Sequence, residues 1–155
     1  SAPTNRPSQS KPLREQLGMQ DYINQLIHDA KQARSAGDSQ KARDAYTRAA
    51  DLARTNGEAA LQAHALRHVC ELARETGDLM AALAAGQDAV SLYRGLPIAV
   101  PLDLANALRG TALALEQLKR TQAAAPLWHE ARDICQDIGV LEGVAECNER
   151  LAGMQ

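Results

Sequence analysis

His64 and His68 are the residues whose types and spacing come nearest to chemistry in this sequence. Four positions apart on a helix, two imidazoles share one face, and that geometry can hold Zn²⁺. A metal centre needs a third or fourth ligand. Glu71 and His28 are the nearest candidates, and even with them no recognised ligand motif is completed, so no metal is expected and the pair reads as two histidines on a helix wall. The three cysteines, Cys70, Cys135 and Cys147, are odd in number and form no Cys-x-x-Cys pair. That points away from a disulfide framework or a zinc knuckle and toward reduced, buried thiols. The sequence has no Gly-x-Ser-x-Gly elbow, no phosphate-cradling Gly loop and no His-Glu-x-x-His helix. No catalytic residue is assigned, and the expectation is a protein that is not an enzyme and carries no cofactor.

The elements that would position these side chains are helices. Of 155 residues 45% are hydrophobic, yet there is no Phe, one Trp and three Tyr, so a core must be assembled from Ala and Leu. Small side chains suit helices whose axes approach to about 8 Å. No segment alternates apolar with polar as a half-buried strand would. A formal charge of −2 lacks the basic excess of a phosphate-backbone binder, so nucleic acid is not an expected partner. No apolar run reaches the roughly 20 residues that span a bilayer, and the beginning of the sequence lacks the apolar stretch of a signal peptide. The expectation is a soluble, cytoplasmic chain with no membrane partner. Residues 1–12, SAPTNRPSQSKP, are too polar to repay the entropy of ordering and read as a flexible tail; the missing initiating Met suggests a piece of something larger.

From about Leu13 onward the pattern is helical and repeats. Ala36-Gly37-Asp38 recurs as Thr76-Gly77-Asp78, 40 residues on. Ala42 and Ala49 behind the first turn are answered by Ala82 and Ala89, and a third copy from Lys119-Arg120-Thr121 places Ala124 and Ala131 a further 42 on. Ahead of each turn runs an apolar stripe at i, i+3, i+4, i+7 spacing: Leu26, Ala30, Ala33; then Leu66, Val69, Cys70, Ala73; then Leu108, Thr111, Ala112, Leu115. Each repeat is therefore helix, tight turn, helix. Gly37 and Gly77 supply a left-handed residue and the following Asp caps the next helix, while repeat three must use Thr121 as its cap. The stretch from Gly95 to Pro101 breaks the helix twice and is the one substantial loop between repeats. Val140 to Met154, with Ala145, Leu151 and Ala152 at the matching offsets, forms a lone seventh helix.

These residues resemble the tetratricopeptide repeat family, in its longer form of about 40 residues, over roughly positions 18 to 155. Repeat one matches the motif through Leu26, Ala30, Ala33, Ala42, Tyr46 and Ala49. Repeat two matches through Leu66, Cys70, Ala73, Ala82 and Ala89, and repeat three through Leu108, Ala112, Ala124, Trp128 and Ala131. Tyr46 and Trp128 are the aromatic that fills the gap between repeats. Gly86 stands in its place in repeat two, at about 1 kcal/mol relative to Ala, so either a large neighbour fills that space or the junction is loose and the first to yield. Asp29 stands where Leu is usual, and the family's closing Pro is absent. The resemblance implies an all-α fold for residues 13–155: a right-handed superhelical stack of antiparallel helix pairs, three repeats plus a capping helix.

It also implies a concave groove lined by the first helix of each pair. Carried over by position, its face comprises Asn24, His28 and Lys31, then His64, Arg67, His68 and Glu71, then Asn106 and Arg109. Arg67 and Arg109 occupy equivalent positions and would stand about 10 Å apart on neighbouring helices, where two guanidinium groups could clamp a carboxylate. The expected function is recognition of a peptide, acidic or C-terminal, with Asn24 and Asn106 addressing its backbone. Two other readings stay open. One is a homodimer formed through Leu127, Trp128 and Ile134 if these are exposed; the other is a sensor or regulatory domain cut from a larger protein.

Overall fold

The computed structural model describes residues 13–155, and the tail assigned to residues 1–12 lies outside them. The described chain is seven helices and no strand: α1 (Leu13–Ser35), α2 (Ser39–Thr55), α3 (Ala59–Glu75), α4 (Leu79–Gly95), α5 (Pro101–Gln117), α6 (Thr121–Asp137) and α7 (Leu141–Ala152). Each packs on the helix before it and the helix after it, which makes an all-α repeat stack. No described helix is long and apolar enough to cross a membrane.

Five of the six connections are the same turn. In each, the sixth residue's N–H bonds back to the first residue's carbonyl and the fifth's to the second's, as Asp38 N to Ala33 O at 2.9 Å and Gly37 N to Arg34 O at 3.0 Å. This Schellman pairing satisfies carbonyls that a helix end leaves open, and it needs a left-handed residue at its penultimate position. Gly37, Gly57, Gly77 and Gly139 supply it at φ of 82°, 70°, 86° and 75°. The turns at Gly57 and Gly139 join successive pairs, so the joint within a pair and the joint between pairs are alike, and they recur every twenty residues on either side of the α4–α5 connection. At the fifth turn Lys119 takes the left-handed conformation at φ 62°, which costs a side-chain-bearing residue about 1 kcal/mol.

Capping differs from the sequence expectation at one place. Asp38 accepts from Lys41 N at 3.0 Å and Asp78 from Ala81 N at 3.4 Å, as the turn chemistry requires. Thr121 does not cap: it is already the first residue of α6, and Arg120 holds the cap position with no side-chain bond. Lys119 in the glycine position moves the turn one residue upstream of where the sequence reading set it. Pro101, read as a second break, instead opens α5, where a missing N–H is harmless. The connection from α4 to α5, residues 96–100, is the only one without the shared turn.

Alanine is what lets the helices close on one another. Ala42, Ala49, Ala63, Ala73, Ala82, Ala89, Ala112 and Ala124 are all fully buried. The space between pairs is filled at three equivalent positions in three ways. Tyr46 and Trp128 are buried aromatics, 1% and 0% exposed. At Gly86 the space is taken by Thr111 and Cys70: a Cβ there would lie within 3.0 Å of the Thr111 hydroxyl and 3.1 Å from the Cys70 sulfur. That junction is tight, not loose, and Gly86 is small because its neighbours already occupy the site. Gly110 on α5 faces the same sulfur. Accordingly α3 and α5 come closer together than any other pair of described helices not adjacent in the chain.

Of the three offset positions read in the last helix, only Leu151 packs against the core. Cys147 is the helix's buried residue, and Gly143 one turn earlier is packed so closely that a Cβ would strike the Cys135 sulfur on α6. Ala145 and Ala152 are exposed. Their counterparts on α5, Ala105 and Ala112, are buried because α5 has helices before and after it packed against it, whereas no described helix follows α7.

Candidate functional site

The polar residues predicted on α3 form one connected cluster with side chains from α1 and α2. Its axis is Glu71. One carboxylate oxygen accepts from Arg67 at 3.1 Å, one turn earlier on the same helix, and the other accepts from Arg34 of α1 at 2.9 Å. Arg34 spans onward to Glu75 at 2.8 Å, so charges alternate along a ladder from Arg67 to Glu75. Arg67 and Glu71 are largely shielded, at 14% and 19% side-chain exposure, so these are charge-assisted bonds of more weight than a surface pair. Burial works to raise the Glu71 carboxyl, but the Arg34 bond and the surrounding positive groups hold it below its ordinary range.

Beside the ladder His68 is held on three sides. The Tyr46 ring stacks on it at 4.6 Å and 10°, and His64 meets it edge-on at 4.7 Å. Arg67 approaches its Nε2 at 3.3 Å and Arg34 its Nδ1 at 3.4 Å. A neutral imidazole has one acceptor nitrogen, so only one guanidinium can donate to it. With Nδ1 carrying the proton toward the Glu71 carboxylate, 3.7 Å away, Nε2 accepts from Arg67. A second ring proton would face a cation directly. Burial, then the Arg67 charge and His64, push the His68 pKa down to about 3, and burial with Arg67 also lowers His64. Both rings are therefore neutral donors and acceptors near neutral pH.

A second site lies between α5, α6 and α7. Asn106 and Arg109 line a cleft of about 220 Å³ together with Leu102, Glu142, Glu146 and the two thiols Cys135 and Cys147. Arg109 is clamped there by Glu146, through Nε and through Nη2 at 3.0 Å. Burial raises the Cys135 thiol and pushes Cys147 up to about 11, as it does Cys70, so all three remain protonated at neutral pH.

Sequence reading thus located His64, Arg67, His68 and Glu71 as a group, and Asn106 with Arg109 as another. Asn24, His28 and Lys31 stand exposed on α1. Arg67 and Arg109 each already hold a carboxylate of this chain, so neither meets a ligand as a bare cation. Glu71, the nearest extra ligand for a histidine-bound metal, is taken by two arginines, and no group of three metal-binding side chains is found among the described residues. Arg34, Tyr46, Glu75 and Glu146 were missed as site residues. Their signal is register: Arg34 to Glu71 and Arg109 to Glu146 are both 37 residues apart, one repeat less most of a helical turn. Trp128 is fully buried, donating to Glu116 at 3.0 Å, and Leu127 and Ile134 are half-buried, so the side chains named for a homodimer are mostly inside.

No protein-family model matches this sequence, and no curated protein matches it either.

Proposed function

We propose that the chain is a tetratricopeptide-type adaptor that binds a peptide segment of another protein along the α3 face. The observation that carries this reading is the cluster of His64, Arg67, His68 and Glu71: four half-buried polar side chains on one helix, fixed in place by stacking and ion pairs. A surface whose rotamers are already locked loses little entropy on binding, which is the property a recognition face needs. Because Arg67 and Arg109 come neutralised by Glu71 and Glu146, the segment that fits best has mixed donors and acceptors rather than a run of acids. Its carbonyls would take the open arginine and imidazole N–H groups, and its amides the carboxylates. The resemblance in repeat pattern supports the same assignment. Protonated thiols and the lack of an activated nucleophile among them favour a binding module over a catalyst, and three unpaired cysteines favour the cytoplasm.

The test is a selection of random peptides on the immobilised protein. Enriched peptides should bind about tenfold more weakly to His64→Ala and to Arg67→Ala, and normally to Thr47→Ala, an exposed position on α2. Peptides that bind all three variants as well as the wild type would remove the α3 face from the binding surface.

A further inference from the structure

Four of the six large hydrophobic side chains exposed among the described residues lie along one edge of the stack. Ile98 and Leu102, 80% and 48% exposed, belong to the α4–α5 connection and the start of α5. Ile138 and Leu141, 39% and 77% exposed, belong to the α6–α7 turn and the start of α7. The two segments are neighbours: Leu102 from one and Val140, Glu142 and Gly143 from the other line the same cleft of about 220 Å³. Scattered exposed apolar residues mean nothing by themselves, but a cluster at the mouth of a cleft is the pattern of a contact surface.

Charge says what kind of partner covers it. The segments that build this edge contain Asp103, Asp133, Asp137, Glu142, Glu146 and Glu149, and the arginines beside them, Arg109 and Arg132, are already paired with Glu146 and Asp133. Asp103, Asp137 and Glu142 form no ion pair among the described residues. A second copy of this chain meeting the edge face to face would bring acid against acid, and an anionic lipid surface would be repelled in the same way. A basic segment gains on both counts, since its aliphatic residues cover the exposed side chains while its cations find carboxylates that lack partners.

We infer that this edge docks a short amphipathic helix of a partner protein, with aliphatic residues on one face flanked by Lys or Arg, one aliphatic side chain seated in the cleft beside Leu102 and Val140. The surface is separate from the α3 cluster, so either can fail while the other stands. Helix-in-groove recognition of this kind reads anchors at i, i+3, i+4 and i+7.

The probe is a labelled synthetic peptide of about sixteen residues with Leu at those positions and Lys elsewhere, titrated by fluorescence anisotropy, with a Lys-to-Glu counterpart as control. Ile98→Asn/Leu141→Asn changes only exposed side chains, and an unchanged melting curve confirms that the fold is kept. The wild type should bind the Lys peptide and ignore the Glu peptide. The double Asn variant should bind the Lys peptide about tenfold more weakly, and Asp137→Lys/Glu142→Lys should switch preference to the Glu peptide. Equal binding by all three proteins overturns the inference. So does a wild-type dimer that the double Asn variant abolishes, which would make a second copy the occupant, or binding to phosphatidylglycerol vesicles that the same variant loses, which would make it a membrane.

Discussion

The junction between α3 and α5 and the junctions on either side of it join equivalent helices by opposite means. Around α3 and α5 the contact is steric: the Cys70 side chain of α3 and the Thr111 side chain of α5 close on Gly86 of α4, Gly110 faces the same sulfur, and no ion pair joins α3 to α5 among the described residues. Between α1 and α3, and again between α5 and α7, the contact is an arginine reaching across to a glutamate, Arg34 to Glu71 and Arg109 to Glu146. Close packing forfeits dispersion steeply when a neighbour shifts, whereas long charged side chains follow a shifting partner at little cost. The middle of the stack is therefore its stiff part, and the two ends have more give.

The largest effect should come from overfilling the stiff junction. Gly86→Ala removes a helix-weakening glycine, yet its Cβ strikes a Thr111 side chain that is 2% exposed and bonded to Ala107 O at 2.8 Å, so urea denaturation should show a loss of about 1–3 kcal/mol. Adding Thr111→Ala should recover part of that loss, leaving the Cys70 contact as the remainder, with a coupling of about 0.5 kcal/mol or more in the double-mutant cycle. A stabilised Gly86→Ala would show that the junction has room and that the contrast drawn above is wrong.

Acid should act next, and most strongly on the α3 cluster at the α1–α3 junction. His68 is held at about 3 against an unfolded value near 6.5, and Glu71 is held below its ordinary value. Both shifts are downward, so the unfolded chain binds more protons as pH falls: stability is complete above about pH 6.5 and declines below it, first through His68 and then through Glu71. Between about pH 7.5 and pH 4.5 the loss should be about 1–2 kcal/mol in urea titrations, and His68→Gln should flatten the upper part of that decline. An unchanged pH profile in His68→Gln would mean the ring is solvated in solution.

The smallest effect belongs to the other charged junction. Arg109 is 41% and Glu146 31% exposed, so Glu146→Gln should cost no more than about 1 kcal/mol, and less at high salt. A cost above that, insensitive to salt, would place this pair with the buried ladder at Glu71 rather than apart from it.

The seven helices were legible because period and turn residues agree locally: Gly37 with Asp38 and Gly77 with Asp78 fix a turn without help from distant residues. Gly57 and Gly139 carry the same turn with a weaker local signal, because Glu58 and Val140 follow them in place of a capping Asp. The α3 cluster was legible as a set of positions, but its partners were not. Which carboxylate neutralises Arg67, and that Arg34 of α1 reaches Glu71, depends on how far each helix advances on the next, which a single helix's pattern does not contain. Lys119 was opaque for another reason: a lysine at positive φ is imposed by the packing of α5 and α6 against its own preference.

The identical turns at Gly37, Gly57 and Gly77 mean that the backbone itself does not distinguish first helices from second ones. Inside and outside are written only in side chains, in where each helix places its alanines and its charges. A mutation that turned one helix's apolar stripe by half a circumference would leave every joint intact and still exchange the two surfaces from that point on, so the sidedness of the molecule is a property of its sequence pattern and not of its chain path.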